Sequence, residues 1–391
     1  MLDLNCKDDE KQANVQELRS HLATLLRLEN VGFFLGAGCS ITAGGKSLKQ
    51  LWDDFSSKTD DISVLENHLS IFPWDDVDVD VEALVAELSL LQSAVKKFQD
   101  IVNSDDVSKL LSLKDALENK VLEAANLSLT EDRLKSHIAL LHKLVGTRQP
   151  GQSSPWVFTT NYDLAVERAA EYAGILVNTG FTGIHNRIFS PQAFDLGYRN
   201  IYAEGEARFG CNDIYLVKLH GSLSWVQSEG NDVREVQLLD AQNNNDPLII
   251  YPNKTKYVDT LGYVYSELFR RFADFLAKPQ TCLIVSGYSF RDEHVNRLMF
   301  SALLNPTFQL VIFTTELEGE KISPALSRLI NLNSPRVTVI GSGSEVYFDK
   351  VVSYMPEAIL FDAKRMMLAR EIREWVSSNP GTNVQNSEER E

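Results

Sequence analysis

The strongest constraint on how this chain can fold is an alternation of short apolar runs, glycine-bearing or polar loops, and helical patterns. Val31-Gly32-Phe33-Phe34-Leu35 is one such run, leading into Gly36-Ala37-Gly38-Cys39-Ser40 ahead of a helical pattern around residues 48–55. Trp156-Val157-Phe158-Thr159-Thr160 is another, followed by Asn161-Tyr162-Asp163 and a helical stretch over 164–172. Residues 214–219, 248–251, 281–286, 309–314 and 337–340 are further strand candidates, with helical periodicity over 264–276 and 293–304. Short runs rich in β-branched and aromatic side chains suit strands buried on both faces, and the helices between them carry the chain back to start the next parallel strand. The expectation is an α/β fold: a Rossmann-like, mostly parallel sheet with helices on both faces.

Two stretches depart from this rhythm. Between 58 and 148 no strand pattern is evident. Val81, Leu84, Val85, Leu88, Leu91, Val95 and Phe98 share one helical stripe there, and Leu134, Ile138, Leu141 and Val145 another. Such stripes are packing surface, and the stretch reads as a helical insertion, 58–148, within a domain spanning 15–355. Thr130 is the expected N-cap of its last helix, with Glu131 and Asp132 in the first turn and Gly146 at the C-terminal end. Leu18, Leu22, Leu25 and Leu26 mark an opening helix over 15–28. Residues 356–376 read as a C-terminal helix, and the polar stretch 377–391 as a disordered tail.

Composition narrows the function. The formal net charge of -16 disfavours coating nucleic acid unless a local basic patch exists. A dinucleotide is a different case, because a small anion is held by local dipoles. Cys6, Cys39, Cys211 and Cys282 include no closely spaced pair, so no zinc ribbon is expected and a reducing, cytoplasmic setting is. Residues 1–11 carry five charged groups before Lys11 and no apolar core, unlike a signal peptide, and no run approaches the roughly 18 apolar residues of a membrane helix.

Four loops carry candidate chemistry. Gly36-Ala37-Gly38-Cys39-Ser40 would let backbone approach a pyrophosphate, with the following helix end offering N–H groups. Position 41 is Ile where a dehydrogenase fingerprint wants glycine or alanine, and Asp53 and Asp54 fall in a helix rather than at a strand end. Gly45-Lys46-Ser47 imitates the end of a P-loop, but the pattern's first glycine would be residue 40, which is Ser. Thr160-Asn161-Tyr162-Asp163 lies just past a strand, where open α/β sheets bind ligands; Asp163 could equally cap the next helix. His220 sits between a strand and Gly221 in Lys218-Leu219-His220-Gly221-Ser222, a setting that suits either a working or a structural histidine. Gly287-Tyr288-Ser289 closes the strand at 281–286.

In this order, the Gly36, Thr159–Asp163, His220-Gly221-Ser222 and Gly287-Tyr288-Ser289 loops resemble the four NAD-site motifs of the sirtuin superfamily, and more closely its bacterial antiphage-defence branch. The resemblance runs over 31–343, interrupted by the insertion. The insertion, the run from Arg148 and the segment 205–210 resemble the sirtuin-like subunit that pairs with a HerA-type hexameric ATPase. The paired Cys-x-x-Cys module of deacetylating sirtuins has no counterpart here, which counts against protein deacylation.

The resemblance implies an NAD+ glycohydrolase that releases nicotinamide and ADP-ribose and depletes NAD+ as an antiviral effector. It implies that Gly36, Ala37, Gly38 and Ser40 hold the phosphates, that Asp163 helps hold the nicotinamide amide, and that Thr160 belongs to the cofactor-binding set. Asn161 orients the ribose and a water, His220 is the general base, and Gly287 and Ser289 line the adenosine ribose. Homo-oligomerisation and the ATPase partner are implied in the same way, and with them contact with nucleic acid only indirectly, through that partner. Two other readings stay open: a non-catalytic NAD or nucleotide sensor in a defence complex, and a nuclease component, which lacks a carboxylate cluster of metal-ligand spacing.

Overall fold

A computed structural model describes residues 2–4, 8–57, 88, 105–149, 151–199, 204–205, 212–227, 232–236, 262–315, 317, 322–341 and 343–357. In chain order the elements are β1 (Leu2–Asp3), α1 (Asp8–Leu25), β2 (Asn30–Leu35), α2 (Ala37–Ser40), α3 (Leu48–Ser56), α4 (Asp105–Ala125), α5 (Lys135–Gly146) and β3 (Trp156–Thr159). Then come α6 (Ala165–Ala173), β4 (Leu176–Asn178), β5 (Phe181–Thr182), β6 (Arg187–Phe189), β7 (Asp213–Lys218), β8 (Trp225–Gln227) and β9 (Val233–Glu235). The last are α7 (Tyr263–Ala277), β10 (Thr281–Ser286), α8 (Glu293–Ala302), β11 (Gln309–Phe313), α9 (Pro324–Asn331), β12 (Val337–Gly341) and α10 (Phe348–Tyr354).

The main sheet has the order β1-β12-β11-β10-β2-β3-β7-β4, and every pairing in it is parallel. Alternate residues of β2 feed two separate cores. Val31, Phe33 and Leu35 pack with Leu18 and Leu22 of α1, Leu140 and Leu144 of α5, Ala169 of α6 and Val351 of α10. Phe34 faces the other side, with Phe158 of β3, Leu268 and Phe272 of α7, Met299 of α8 and Leu329 of α9. Helices therefore cover both faces, as the apolar runs require.

β10 and β2 are neighbours from which the chain departs in opposite directions, β2 towards β3 and β7, β10 towards β11 and β12. Open α/β sheets bind ligands at such a reversal, beyond the carboxyl ends of the strands.

α5 contributes Leu140, Leu141 and Leu144 to the first core, so this end of the expected insertion is built against the sheet. Its start differs from expectation. The helix begins at Lys135 with Leu134 in the cap position and no side-chain cap, and Gly146 is its last residue. Leu134 is fully buried, and its N–H bonds back to Thr130 O and Glu131 O, so residues 131–134 make a separate turn that seats Leu134 in the core. The strand expected at 248–251, most of the insertion before 105, the helix at 356–376 and the tail at 377–391 lie outside the described residues, apart from Pro356 and Glu357, which are not helical. Arg148 donates to Leu26 O, Leu28 O, Glu29 O and Ser153 O, which pins the turn between α1 and β2.

A second, antiparallel sheet, β5-β6-β9-β8, was not legible beforehand. Its strands are two or three residues long, too short for a period-two pattern to stand out. Phe181, Phe189 and Trp225 anchor it in the second core.

Candidate active site

The four loops singled out in the sequence follow β2, β3, β7 and β10, which stand side by side, so all four emerge at one edge of the sheet. β10 and β7 are separated by two strands, about 14 Å at ordinary strand spacing. The loop from Gly287 to Asp292 spans that gap over the ends of β2 and β3, because Asp292 meets His220 beyond β7.

The glycines of two loops meet first. Gly36 N–H donates to Ser286 O and Gly38 N–H to Gly287 O, both at 2.9 Å, while Cys39 N–H turns back to Gly36 O. A Cβ on Gly36 would lie 2.3 Å from Gly287 O, and one on Gly38 would lie 2.8 Å from Gly287 Cα. These glycines are thus demanded by the contact between the loops, and the amides of Gly36 and Gly38 are spent on it. Ala37 is exposed at the lip of the loop, and Ser289 is exposed on the facing one. Cys39 is fully buried beneath, where burial pushes its thiol up to about 12, so it is no nucleophile.

Next to this contact runs a directed chain of hydrogen bonds. Asn161 Nδ2 donates to Gly36 O at 3.0 Å and to Ser40 Oγ at 2.9 Å. Ser40 Oγ donates to Asp163 Oδ2 at 2.6 Å, and Asp163 Oδ1 accepts the N–H of Ala165 at the start of α6. Asp163 therefore serves the helix start and the site together. Both amide hydrogens of Asn161 are committed, which leaves its carbonyl oxygen as the group it can offer to a hydroxyl or a water. Thr159 Oγ1 donates to Leu35 O at 2.8 Å and accepts the Asn161 N–H at 3.0 Å, tying the loop to β2. Thr160 beside it is half-buried.

His220 is held by a residue the sequence reading did not reach. Its Nε2 lies 2.7 Å from Asp292 Oδ2, with both side chains 7% exposed, and its ring lies 6.5 Å from that of Tyr162. Asp292 Oδ1 caps α8 through the N–H groups of His294 and Val295. The signal for Asp292 in the sequence is its place three residues beyond Ser289, just before a helical pattern, and that reads only as an N-cap. Tyr288 Oη shares its hydrogen between Asp292 O and Asn296 Oδ1, while Asn296 Nδ2 donates to Phe290 O.

Beneath the floor, Lys218 at the end of β7 is 2% exposed. Its ammonium bonds Tyr162 O at 3.3 Å, Ser222 Oγ at 2.9 Å and Glu167 Oε1 at 2.9 Å, and also Asp163 O. Leu223 N–H adds a bond to Tyr162 O at 3.0 Å. The Asn161 loop and the His220 turn are therefore clipped together by one buried charge, satisfied at every hydrogen as a buried charge must be. Glu167 and Glu235 stand near each other behind this clip. Burial raises the Glu235 carboxyl, while Arg187 at 3.1 Å pulls it the other way.

Gly45-Lys46-Ser47 has a purely local use. Ser47 caps α3 in a reciprocal capping box with Gln50, and Lys46 pairs with Asp54 on the same helix. Among the described residues, no group of three or more His, Cys, Asp or Glu side chains is placed to hold a metal ion.

His137 of α5 lies behind Asp163, its ring 4.7 Å from Phe348 and its Nδ1 without a hydrogen-bond partner among the described residues. Burial pushes it from 6.5 down to about 4, against a smaller upward pull from Asp163. Because the folded value is the lower one, the fold favours neutral His137. That stability is complete above pH 6.5 and is lost as pH falls from 6.5 to about 4. The loss amounts to roughly 3 kcal/mol. In urea titrations across this window, His137→Leu should show a shallower fall in unfolding free energy than the unaltered chain. Parallel curves would remove His137 as the cause.

Residues 155–324 match the model of the SIR2-like domain family, a span from just before β3 to the first residue of α9 that leaves the Gly36 loop outside it. No curated protein matches the chain. Among solved structures, a Sir2 homologue in complex with NAD is 15% identical, with 86% of this chain and 92% of that one covered and a TM-score of 0.41. A Sir2 bound to an inhibitor, 2′-O-acetyl-ADP-ribose and a deacetylated p53 peptide is 13% identical, with coverage of 90% and 99% and a TM-score of 0.40. Among the described residues, no helix is long and apolar enough to cross a membrane.

Proposed function

We propose that this chain binds NAD+ and cleaves the bond between nicotinamide and its ribose, with water as the acceptor. The observation that carries the reading is the Asn161–Ser40–Asp163 chain beside a paired His220, on adjacent strand ends that fall largely within a SIR2-like domain. The pyridinium carries its positive charge into the bond that breaks. Neutral nicotinamide leaves, an oxocarbenium-like carbon remains, and a water oxygen bonds to it while giving up a proton. The products are nicotinamide, ADP-ribose and that proton.

The residues divide this work. The carbonyl oxygen of Asn161 accepts from a ribose hydroxyl or from the attacking water and aims its lone pair. His220 takes the proton, a general-base role that an imidazole commonly fills. Asp163 holds Asn161 in place through Ser40 and keeps lone pairs for the nicotinamide amide, with Thr160 beside it. Gly36, Ala37, Gly38 and Ser40 form a lip without bulky side chains for the phosphates, met at Ala37 rather than at the amides of Gly36 and Gly38. Gly287 and Ser289 border the adenosine ribose. In the same reading, NAD+ depletion in the cytoplasm is an antiphage output, controlled through self-assembly and a HerA-type ATPase partner.

The test is incubation of the purified chain with NAD+, alone and with a HerA-type ATPase, while free nicotinamide is followed. Release is expected, and Asn161→Ala should lower it by roughly 10²-fold or more, the usual cost of a lost orienting group. Intact NAD+ in both conditions, despite measurable binding, would replace this reading with that of a sensor.

A further inference from the structure

We infer that Asp292 is the positioning residue that fixes the tautomer of His220, placing the proton on Nε2 and the basic lone pair on Nδ1. The inference rests on the reading of His220 as the general base of NAD+ cleavage, but its physical core does not. Asp292 divides its carboxylate: Oδ1 accepts the amides of His294 and Val295 at the start of α8, and Oδ2 lies 2.7 Å from His220 Nε2. An ionised carboxylate is an acceptor only, so the atom facing it must be an N–H, and the neutral ring then carries its lone pair on the other nitrogen.

The division of labour also fixes the carboxylate's orientation. Two backbone N–H groups hold Oδ1, Tyr288 Oη bonds the Asp292 carbonyl, and Asn296 holds Phe290 O, where the backbone takes a left-handed φ of 57°. The approach of Asp292 to His220 is therefore set by α8 and by the loop crossing the strand ends. A merely electrostatic neighbour would need no such bracing.

Asparagine at this position makes the test sharp. In Asp292→Asn the oxygen must stay where Oδ1 was, because only an acceptor satisfies the two amides that cap α8. The NH2 group then faces His220 Nε2, which must become the acceptor, and the ring proton moves to Nδ1. Asp292→Ser supplies a second variant, since serine keeps the cap but leaves Nε2 without its carboxylate.

Nitrogen-15 histidine spectra of the full chain at mildly alkaline pH, with His220 assigned by its loss in His220→Gln, read the tautomer directly. The unaltered chain should show the Nε2–H form and Asp292→Asn the Nδ1–H form. In nicotinamide-release kinetics, both Asp292 variants should lose roughly 10²–10⁴ in kcat with KM within a few-fold, and thermal melting should stay near that of the parent. An Nδ1–H signal in the unaltered chain, or an Asp292→Asn ring that does not switch, overturns the assignment. So does a switched ring with kcat intact. If the unaltered chain releases no nicotinamide, the NAD+ reading falls and the spectra alone decide the dyad.

Discussion

Gly287→Ala is expected to destabilise the chain by roughly 2–5 kcal/mol, whereas Gly174→Ala, at nearly the same backbone angle, should lose only about 1–2 kcal/mol. The φ values are +66° and +64°, so both alanines would have to adopt a positive φ that L side chains rarely take. The surroundings differ. A Cβ on Gly287 would lie 2.6 Å from Cys39 N and 2.9 Å from Cys39 Sγ, while one on Gly174 would meet nothing within 4 Å. The clash at Gly287 is with the backbone of the other glycine loop, so relief requires the two loops to part, and the Gly38-to-Gly287 hydrogen bond lengthens with them. Urea titration of the two variants separates strain from contact. Equal losses would mean that the loops do not press together as the structure has them. Under the proposed function, Gly287→Ala should also weaken NAD+ binding, and Gly174→Ala should not.

His220→Ala is expected to lower the kcat of nicotinamide release by roughly 10²–10⁴-fold, or about 3–5 kcal/mol in barrier height. The loss should fall on kcat more than on KM, because a general base acts as the proton leaves and not when the dinucleotide docks. The ring is buried beside Asp292, so alanine also leaves that carboxylate without its histidine partner. Melting of the variant, alone and with NAD+, distinguishes the two effects: a stable chain that still shifts its melting on NAD+ addition but does not turn over matches the base role. Turnover within a few-fold of the parent would remove His220 from the chemistry.

Much of this arrangement was legible in the sequence because its determinants are local. The strands 30–35, 156–159, 213–218, 281–286, 309–313 and 337–341 stand within a residue or two of the apolar runs that announced them. A run of apolar side chains on both strand faces can be buried only between two layers of helices. The glycine and polar loops at their ends were likewise visible, and the parallel sheet brings four of them to one edge. Thr130 shows the limit of local reading. Its composition suits a cap, yet burial of Leu134 moved the helix start to Lys135.

By itself, then, the sequence determined the layers, the strand ends and the loops that bear Asn161 and His220. Tertiary structure decided what those residues touch. Gly36 meets Gly287 across 251 positions, Asn161 reaches Ser40 across 121, and His220 reaches Asp292 across 72. Periodicity and capping carry information over a few residues only, since they reflect how neighbouring side chains share a face. Which carboxylate faces an imidazole is set by the order of strands, which places β10 two strands from β7 and sends its loop across the gap. Lys218 followed the same rule: in the sequence it is one cation before a histidine, and only the packed sheet turns it into the clip between two loops.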